Sequence, residues 1–186
     1  PKEFYTGRGP LEAANLGIEL EDKDVAFRCN LITASVDELI DYSAGHISSK
    51  EAAMLIKSIG EGLGSEELRF YPGVGYRHLM LVKNGVEKGL DVVECVPPHD
   101  IIGGSISKNL PKGRSADFLI ELMHKSRKIL ESHEVNAVRV DLKENPGNMI
   151  WLWGQGKKPV MPTFMDKYGL SGSVISAVDL IKGLGK

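Results

Sequence analysis

Strand-like and helix-like patterns alternate along this chain without any internal repeat, and that alternation restricts the fold more than any single motif does. Residues 25–33, VAFRCNLIT, form an apolar, β-branched run between the charged EDKD and the polar ASVDE. This is a strand signature, interrupted on one face by Arg28 and Asn30. Ser48 and Glu51 make an S-x-x-E capping box that opens SSKEAAMLIKSIGEGLG, where Ala52, Leu55, Ile56, Ile59 and Leu63 repeat on one side of a helix until glycines close it. Segments 67–71 and 75–83 read as two strands around a Pro-Gly turn, and Asn84-Gly85 turns the chain into DVVECV, a further strand of an antiparallel cluster. The Pro- and Gly-rich stretch that follows, PPHDIIGGSISKNLPKG, reads as a long loop of the kind that carries function.

A second amphipathic helix starts at Ser115, with Phe118, Leu119, Leu122, Met123, Ile129 and Leu130 on one face and Asp117 near the positive end of its dipole. NAVRVDLK reads as a strand, and MIWLWG as another after the ENPGN loop. Val174, Ile175, Val178, Ile181 and Leu184 predict a C-terminal helix. Hairpin turns beside crossover helices predict an α/β fold, with α+β as the alternative: one domain over residues 1–186, a mixed β-sheet with helices packed against it.

The 42% hydrophobic content is enough to bury a core in a chain of 186 residues. Lys plus Arg number 23 against 25 Asp plus Glu, a net charge of −2, so no global field draws nucleic acid or an acidic membrane. Any anion site must be local. No apolar run approaches the roughly 20 residues that span a bilayer, and a soluble, cytoplasmic protein is expected. Cys29 and Cys95 sit in apolar runs and read as free thiols of a reducing compartment. The chain opens at Pro1 instead of Met, so a piece of a longer polypeptide is expected.

No complete catalytic motif is present. WGQGKKP has Trp151 where a phosphate loop needs its first glycine and Lys158 where it needs Ser or Thr, and GVGYRH has His78 where a dinucleotide fingerprint needs its third glycine. G-x-S-x-G, C-x-x-C and H-E-x-x-H are missing as well. What the chain does carry is a set of basic residues at strand ends and in loops: Arg8, Arg28, His46, Arg77, His78, His99, Lys157 and Lys158. Such groups donate to phosphate and carboxylate, and together they suit a small, doubly anionic metabolite.

Plainer readings stand beside these. Arg28 taken alone is one half of an ion pair, because buried charges need partners. Trp151 and Trp153 share a strand face by period two and suit core packing as well as substrate contact. His124 and His133 read as surface residues. The Asp41 to His46 and His99-Asp100 groupings lack a third spaced ligand, so no metal site is assigned.

The strings TGRGPLEA, DVAFRCNLIT, DYSAGHI, FYPGVGYRHLM, PPHDIIG, IWLWGQGKKP and YGLSGSVISAVDLIKGLG together resemble the archaeal-type cofactor-independent phosphoglycerate mutases, from Thr6 to Gly185. That resemblance implies an isomerase of glycolysis and gluconeogenesis interconverting 3-phosphoglycerate and 2-phosphoglycerate. It implies an alkaline-phosphatase-like catalytic domain that carries an inserted substrate-binding domain. In that family the serine nucleophile lies upstream of TGRGP, and the Asp and His ligands of two divalent metals (Mn, Zn or Mg) lie mostly downstream of DLIKGLG. The present chain then corresponds to the inserted domain, with no catalytic residue and no bound cofactor of its own.

Its expected partners are phosphoglycerate and the catalytic domain of the same polypeptide. The candidate substrate-binding residues are Arg28, His46, Arg77, His78, His99, Gln155, Lys157 and Lys158, with Asp100 placed to orient an imidazole or touch a glycerate hydroxyl. A stand-alone binding protein for a small phosphorylated carboxylic acid is the alternative, and an enzyme complete in this length is a third reading.

Overall fold

The computed structural model describes residues 4–176 and 179–185. In chain order the elements are α1 (Arg8–Asn15), β1 (Val25–Ala34), β2 (Leu39–Asp41), α2 (Ser49–Leu63), β3 (Leu68–Tyr71), β4 (Arg77–Val82), α3 (Ile106–Asn109), α4 (Ala116–Glu131), α5 (Glu134–Asp141), β5 (Met149–Gly156), α6 (Phe164–Tyr168) and α7 (Asp179–Leu184). Strand β1 is the spine, and every one of its residues is buried. It is flanked by β4 and β5, both antiparallel to it, with β3 outside β4 and β2 pairing the far end of β1 at Thr33 and Ala34. Strands and helices interleave as expected for the α/β class, and the strand pairings among the described residues are antiparallel.

Period two sorts the residues of β1 between two layers. Phe27, Cys29 and Leu31 join Met80, Val82 and Leu152 in the main core, under Ala52, Leu55, Ile56 and Ile59 of α2 and Leu119, Leu122, Met123 and Leu130 of α4. Each fully buried side chain of this kind contributes on the order of 1.5–3 kcal/mol. On the other face Ala26 meets Leu79, Leu81, Ala13 and Leu20 in a smaller cluster beneath α1. Helix α1 lies close because Gly9 has no side chain: a Cβ there would stand 2.2 Å from the Ala26 carbonyl oxygen. Arg28 and Asn30 continue this second face and are buried there, Arg28 against Glu12 of α1 and Asn30 against Trp153.

The capping box is present in both directions, with the Ser48 hydroxyl accepting from the Glu51 N–H and the Glu51 carboxylate accepting from the Ser48 N–H. Replacing Ser48 with alanine should lower stability by about 1 kcal/mol, as read from the urea midpoint at unchanged slope.

Three local expectations are corrected and one unassigned helix is added. NAVRVDLK is not a strand; residues 134–141 form α5. DVVECV is held at a single bridge, Glu94 to Lys112. The Val93 and Val96 carbonyls are taken by the side chains of Gln155 and Trp151, which leaves no strand ladder for them to join. Residues 8–15, quoted only as a motif, form a helix with Pro10 in its first turn, where a missing N–H costs nothing. At the C-terminus the helix begins at Asp179, Val174 and Ile175 are exposed outside it, and Val178 lies outside the described residues. Cys29 and Cys95 are free, as expected, and burial pushes each thiol up to about 12. Among the described residues no helix is long and apolar enough to cross a membrane.

Candidate functional site

The register of the sheet gathers the polar residues of the second face. Arg28 stands opposite Trp153 on β5, and Asn30 stands opposite both Trp151 on β5 and Arg77 on β4. One extra residue on β5 breaks the register between Ala26 and Arg28, and Gly154 sits in it at φ +60°. A left-handed residue is what such a bulge requires, and glycine supplies it without strain.

Trp153 forms the floor, 5% exposed, its indole N–H donating to Asn30 Oδ1 at 3.1 Å. The same Asn30 oxygen accepts from Arg28 Nε at 3.1 Å, and the Asn30 amide donates to the Tyr42 carbonyl at 3.4 Å. Arg28, 3% exposed, also donates to the Glu12 carboxylate, which α1 delivers from above. Arg8, one helical turn before Glu12, approaches the same carboxylate at 3.6 Å. The Arg8 and Arg28 guanidiniums lie 5.2 and 5.6 Å from the Trp153 ring, a geometry in which ring quadrupoles attract cations.

A chain of aromatic edges forms the opposite rim. His99 meets Trp153 at 5.3 Å, Tyr42 meets His99 at 6.2 Å, and Tyr76 meets Tyr42 at 5.6 Å. It ends at Arg77, 5.2 Å from the Tyr76 ring. The result is an aromatic-walled face bearing three arginines and one internal carboxylate, with Asp100 beside His99 at the exposed edge. Burial pulls the Arg28 guanidinium below its ordinary range, Glu12 opposes that, and the charges of Arg8 and Arg77 add to it. A cation disfavoured by its neighbours is one that an arriving anion relieves.

Of the residues singled out from sequence, Arg28, Arg77 and His99 meet at this face, and Asp100 borders it. His78 is buried behind Arg77: its Nδ1 accepts from the Gly73 N–H at 3.0 Å. Burial first, and then the Arg28 charge, lower it to about 3, so it is neutral and serves as an acceptor within the fold. Gln155 is engaged elsewhere, donating to the Val93 carbonyl. Lys157 and Lys158 are exposed past the end of β5, Lys158 on a groove bordered by Pro10, Leu11 and Leu20. His46 is exposed in the 42–47 turn, its backbone N–H held by the Ser43 hydroxyl at 3.2 Å.

Glu12, Asn30, Tyr42, Tyr76 and Trp153 complete the face, and Arg8 joins it although the candidate set omitted it. The signal for Arg8 was its membership of TGRGP together with the other basic motifs; for Glu12 the sequence carried none. His133, read as a surface residue, caps α5 and contacts Ser58 at 3.0 Å. Among the described residues no group of three or more His, Cys, Asp or Glu side chains is placed to hold a metal ion, so the divalent metals implied for the family do not fit this face.

These features define an α/β unit with a cationic, aromatic-floored face. Residues 1–136 match the family described as 2,3-bisphosphoglycerate-independent phosphoglycerate mutase, and the chain belongs to it. It is 52% identical over 185 residues to the 2,3-bisphosphoglycerate-independent phosphoglycerate mutase of Methanosarcina mazei, covering 100% of this chain and 46% of that protein. It is also 52% identical over 189 residues to the probable enzyme of that name from Geobacter sulfurreducens, again covering 46% of the relative. The cofactor-independent phosphoglycerate mutase of Thermoplasma acidophilum superposes with a TM-score of 0.72 at 30% identity, over 100% of this chain and 50% of the other. The chain thus spans about half the length of the relatives it matches.

Proposed function

We propose that this chain is the substrate-binding part of a phosphoglycerate mutase, inserted in an alkaline-phosphatase-like catalytic domain and inactive by itself. The observation that carries the reading is the convergence of Arg8, Arg28 and Arg77 on one aromatic face that contains a single internal carboxylate, Glu12. A glycerate bearing a carboxylate and a phosphate matches that charge, and arginine forks bind both groups bidentately. In the complete enzyme these side chains hold and orient the glycerate while its phosphoryl group leaves one hydroxyl and returns to the other, and the closed face excludes water. The serine nucleophile and the divalent metals belong to the rest of the polypeptide.

The exposed apolar side chains of the C-terminal part, Val160, Phe164, Met165, Tyr168, Leu170 and Ile175, support a docking surface for that remainder. A cytoplasmic location goes with the same reading.

The test is a titration of the chain with 3-phosphoglycerate at low salt, followed through the Trp153 indole N–H signal. Saturable binding with a dissociation constant on the order of millimolar is expected, because half of the cleft is contributed elsewhere. The Arg8→Ala, Arg77→Ala double variant should weaken it by at least about tenfold. No 2-phosphoglycerate should form with manganese present. An unmoved indole signal, or turnover at an ordinary enzymatic rate, would refute the proposal.

A further inference from the structure

We propose that Glu12 is a positioning residue: it holds the Arg8 and Arg28 guanidiniums in the orientation in which they receive the anion. This rests on the reading of the arginine face as an anion site. A glutamate inside such a site runs against simple charge complementarity, since it repels the ligand the arginines attract. Its placement resolves the conflict. Glu12 is buried on the inner side of α1, and it reaches Arg28 from above while Asn30 takes Arg28 Nε from the sheet.

With one N–H on each of two fixed acceptors, the Arg28 guanidinium plane has little freedom left beside Trp153. Arg8 shares the same carboxylate one turn along α1, which sets it over the same ring. Arg77, on β4, is steered by Tyr76 instead and lies outside this pair. On the sheet side of Glu12, His78 is buried and neutral behind Arg77, and His99 with Asp100 stands at the far rim. One guanidinium hydrogen-bonded to the carboxylate and a second drawn to it by an ion pair at 3.6 Å keep a net positive charge and lose less freedom when an anion arrives, which is the advantage of preorganisation.

The sign of a charge-removing substitution separates this role from charge balancing. Glu12→Gln makes the face more positive by one unit, so a glutamate that only balances charge, or that competes with the ligand, predicts tighter binding of 3-phosphoglycerate. Positioning predicts the opposite, a loss of about tenfold in spite of the added charge. Glu12→Asp keeps the charge but is one methylene shorter and reaches one arginine instead of two, so a smaller loss of a few-fold is expected.

Both are measured by the 3-phosphoglycerate titration of the 186-residue chain. Rotation of the Arg28 guanidinium about its Nε–Cζ bond, measured by nitrogen-15 NMR in the unsubstituted chain before any anion is added, covers the case of a variant that does not fold. Hindered rotation supports the proposal and free rotation overturns it. If the unsubstituted chain binds and both variants bind equally or more tightly, the positioning role alone falls. If the unsubstituted chain does not bind, the anion-site reading falls and takes this inference with it.

Discussion

Replacing Arg139 with alanine should lower the unfolding free energy by about 4 kcal/mol, a large fraction of what holds a domain of this size together. Arg139 is buried on α5, and its guanidinium reaches four partners on three chain segments. Nε donates to the Asn145 carbonyl at 3.0 Å and Nη2 to the Ala44 carbonyl at 3.0 Å, while Nη1 meets Glu51 at 3.1 Å and Glu144 at 3.0 Å. Alanine leaves a cavity and takes the donor from the Ala44 and Asn145 carbonyls, an abandoned buried acceptor costing more than the bond was worth, while Glu51 and Glu144 keep access to water. The Glu51 carboxylate, held low first by the Ser48 hydroxyl and further by Arg139, loses part of that support. Arg139→Lys should recover little, because an ammonium cannot reproduce the planar fork. Urea unfolding decides: a loss below about 1 kcal/mol would mean that the three segments hold without their common donor.

The second large effect is a pH dependence centred on His78. Its folded value is lowered to about 3, first by burial and then by Arg28, against roughly 6.5 in an unfolded chain. The unfolded state therefore binds the proton more tightly. The contribution of this group to stability is complete above about pH 6.5 and is lost as the pH falls toward 3. Between pH 7 and pH 4 the loss amounts to about 3 kcal/mol. Asp41 changes stability in the same direction: burial raises it, but hydrogen bonds from Ser43, Gly45 and Asn145 together leave it below its usual range. The His78 share is accordingly the difference between the wild type and His78→Gln, whose amide oxygen still accepts from the Gly73 N–H. Superimposable stability profiles for the two proteins would show that His78 is protonated without cost in the folded state.

Where burial is apolar, the pattern of residues was a sufficient guide to structure. The repeat in α2, the capping box and the apolar run of β1 each specify their element because the side chains that recur are the ones that face the core. Helix α5 shows the limit. Val138, Val140 and Leu142 alternate as in a strand, yet all three are exposed, while Val135, Asn136 and Arg139 are buried at helical spacing. Asn136 bridges the Leu130 and Gly147 carbonyls and accepts from the Gly147 N–H. A helix that buries hydrogen-bonding side chains against loop backbone carries no apolar stripe, so periodicity points to the wrong face.

The site was legible to the same degree and for a related reason. Basic residues at strand ends identify the chemistry, and Arg28, Arg77 and His99 do meet. Direction is another matter, because the bulge at Gly154 lies between Trp153 and the lysines, which end up exposed past the end of β5. Glu12 was invisible because a carboxylate among arginines is recognised only from what it holds.

The pieces of this face come from positions 8, 12, 28, 30, 42, 76, 77, 99 and 153, joined through pairings that span most of the chain. Loop closure over such separations comes late in folding, so no partly assembled chain presents a weaker version of the cluster. Fluorescence from Trp153, set among two guanidiniums and an imidazole, should therefore report the arrival of the finished sheet, and a proteolytic cut that releases α1 takes Arg8 and Glu12 away from the face.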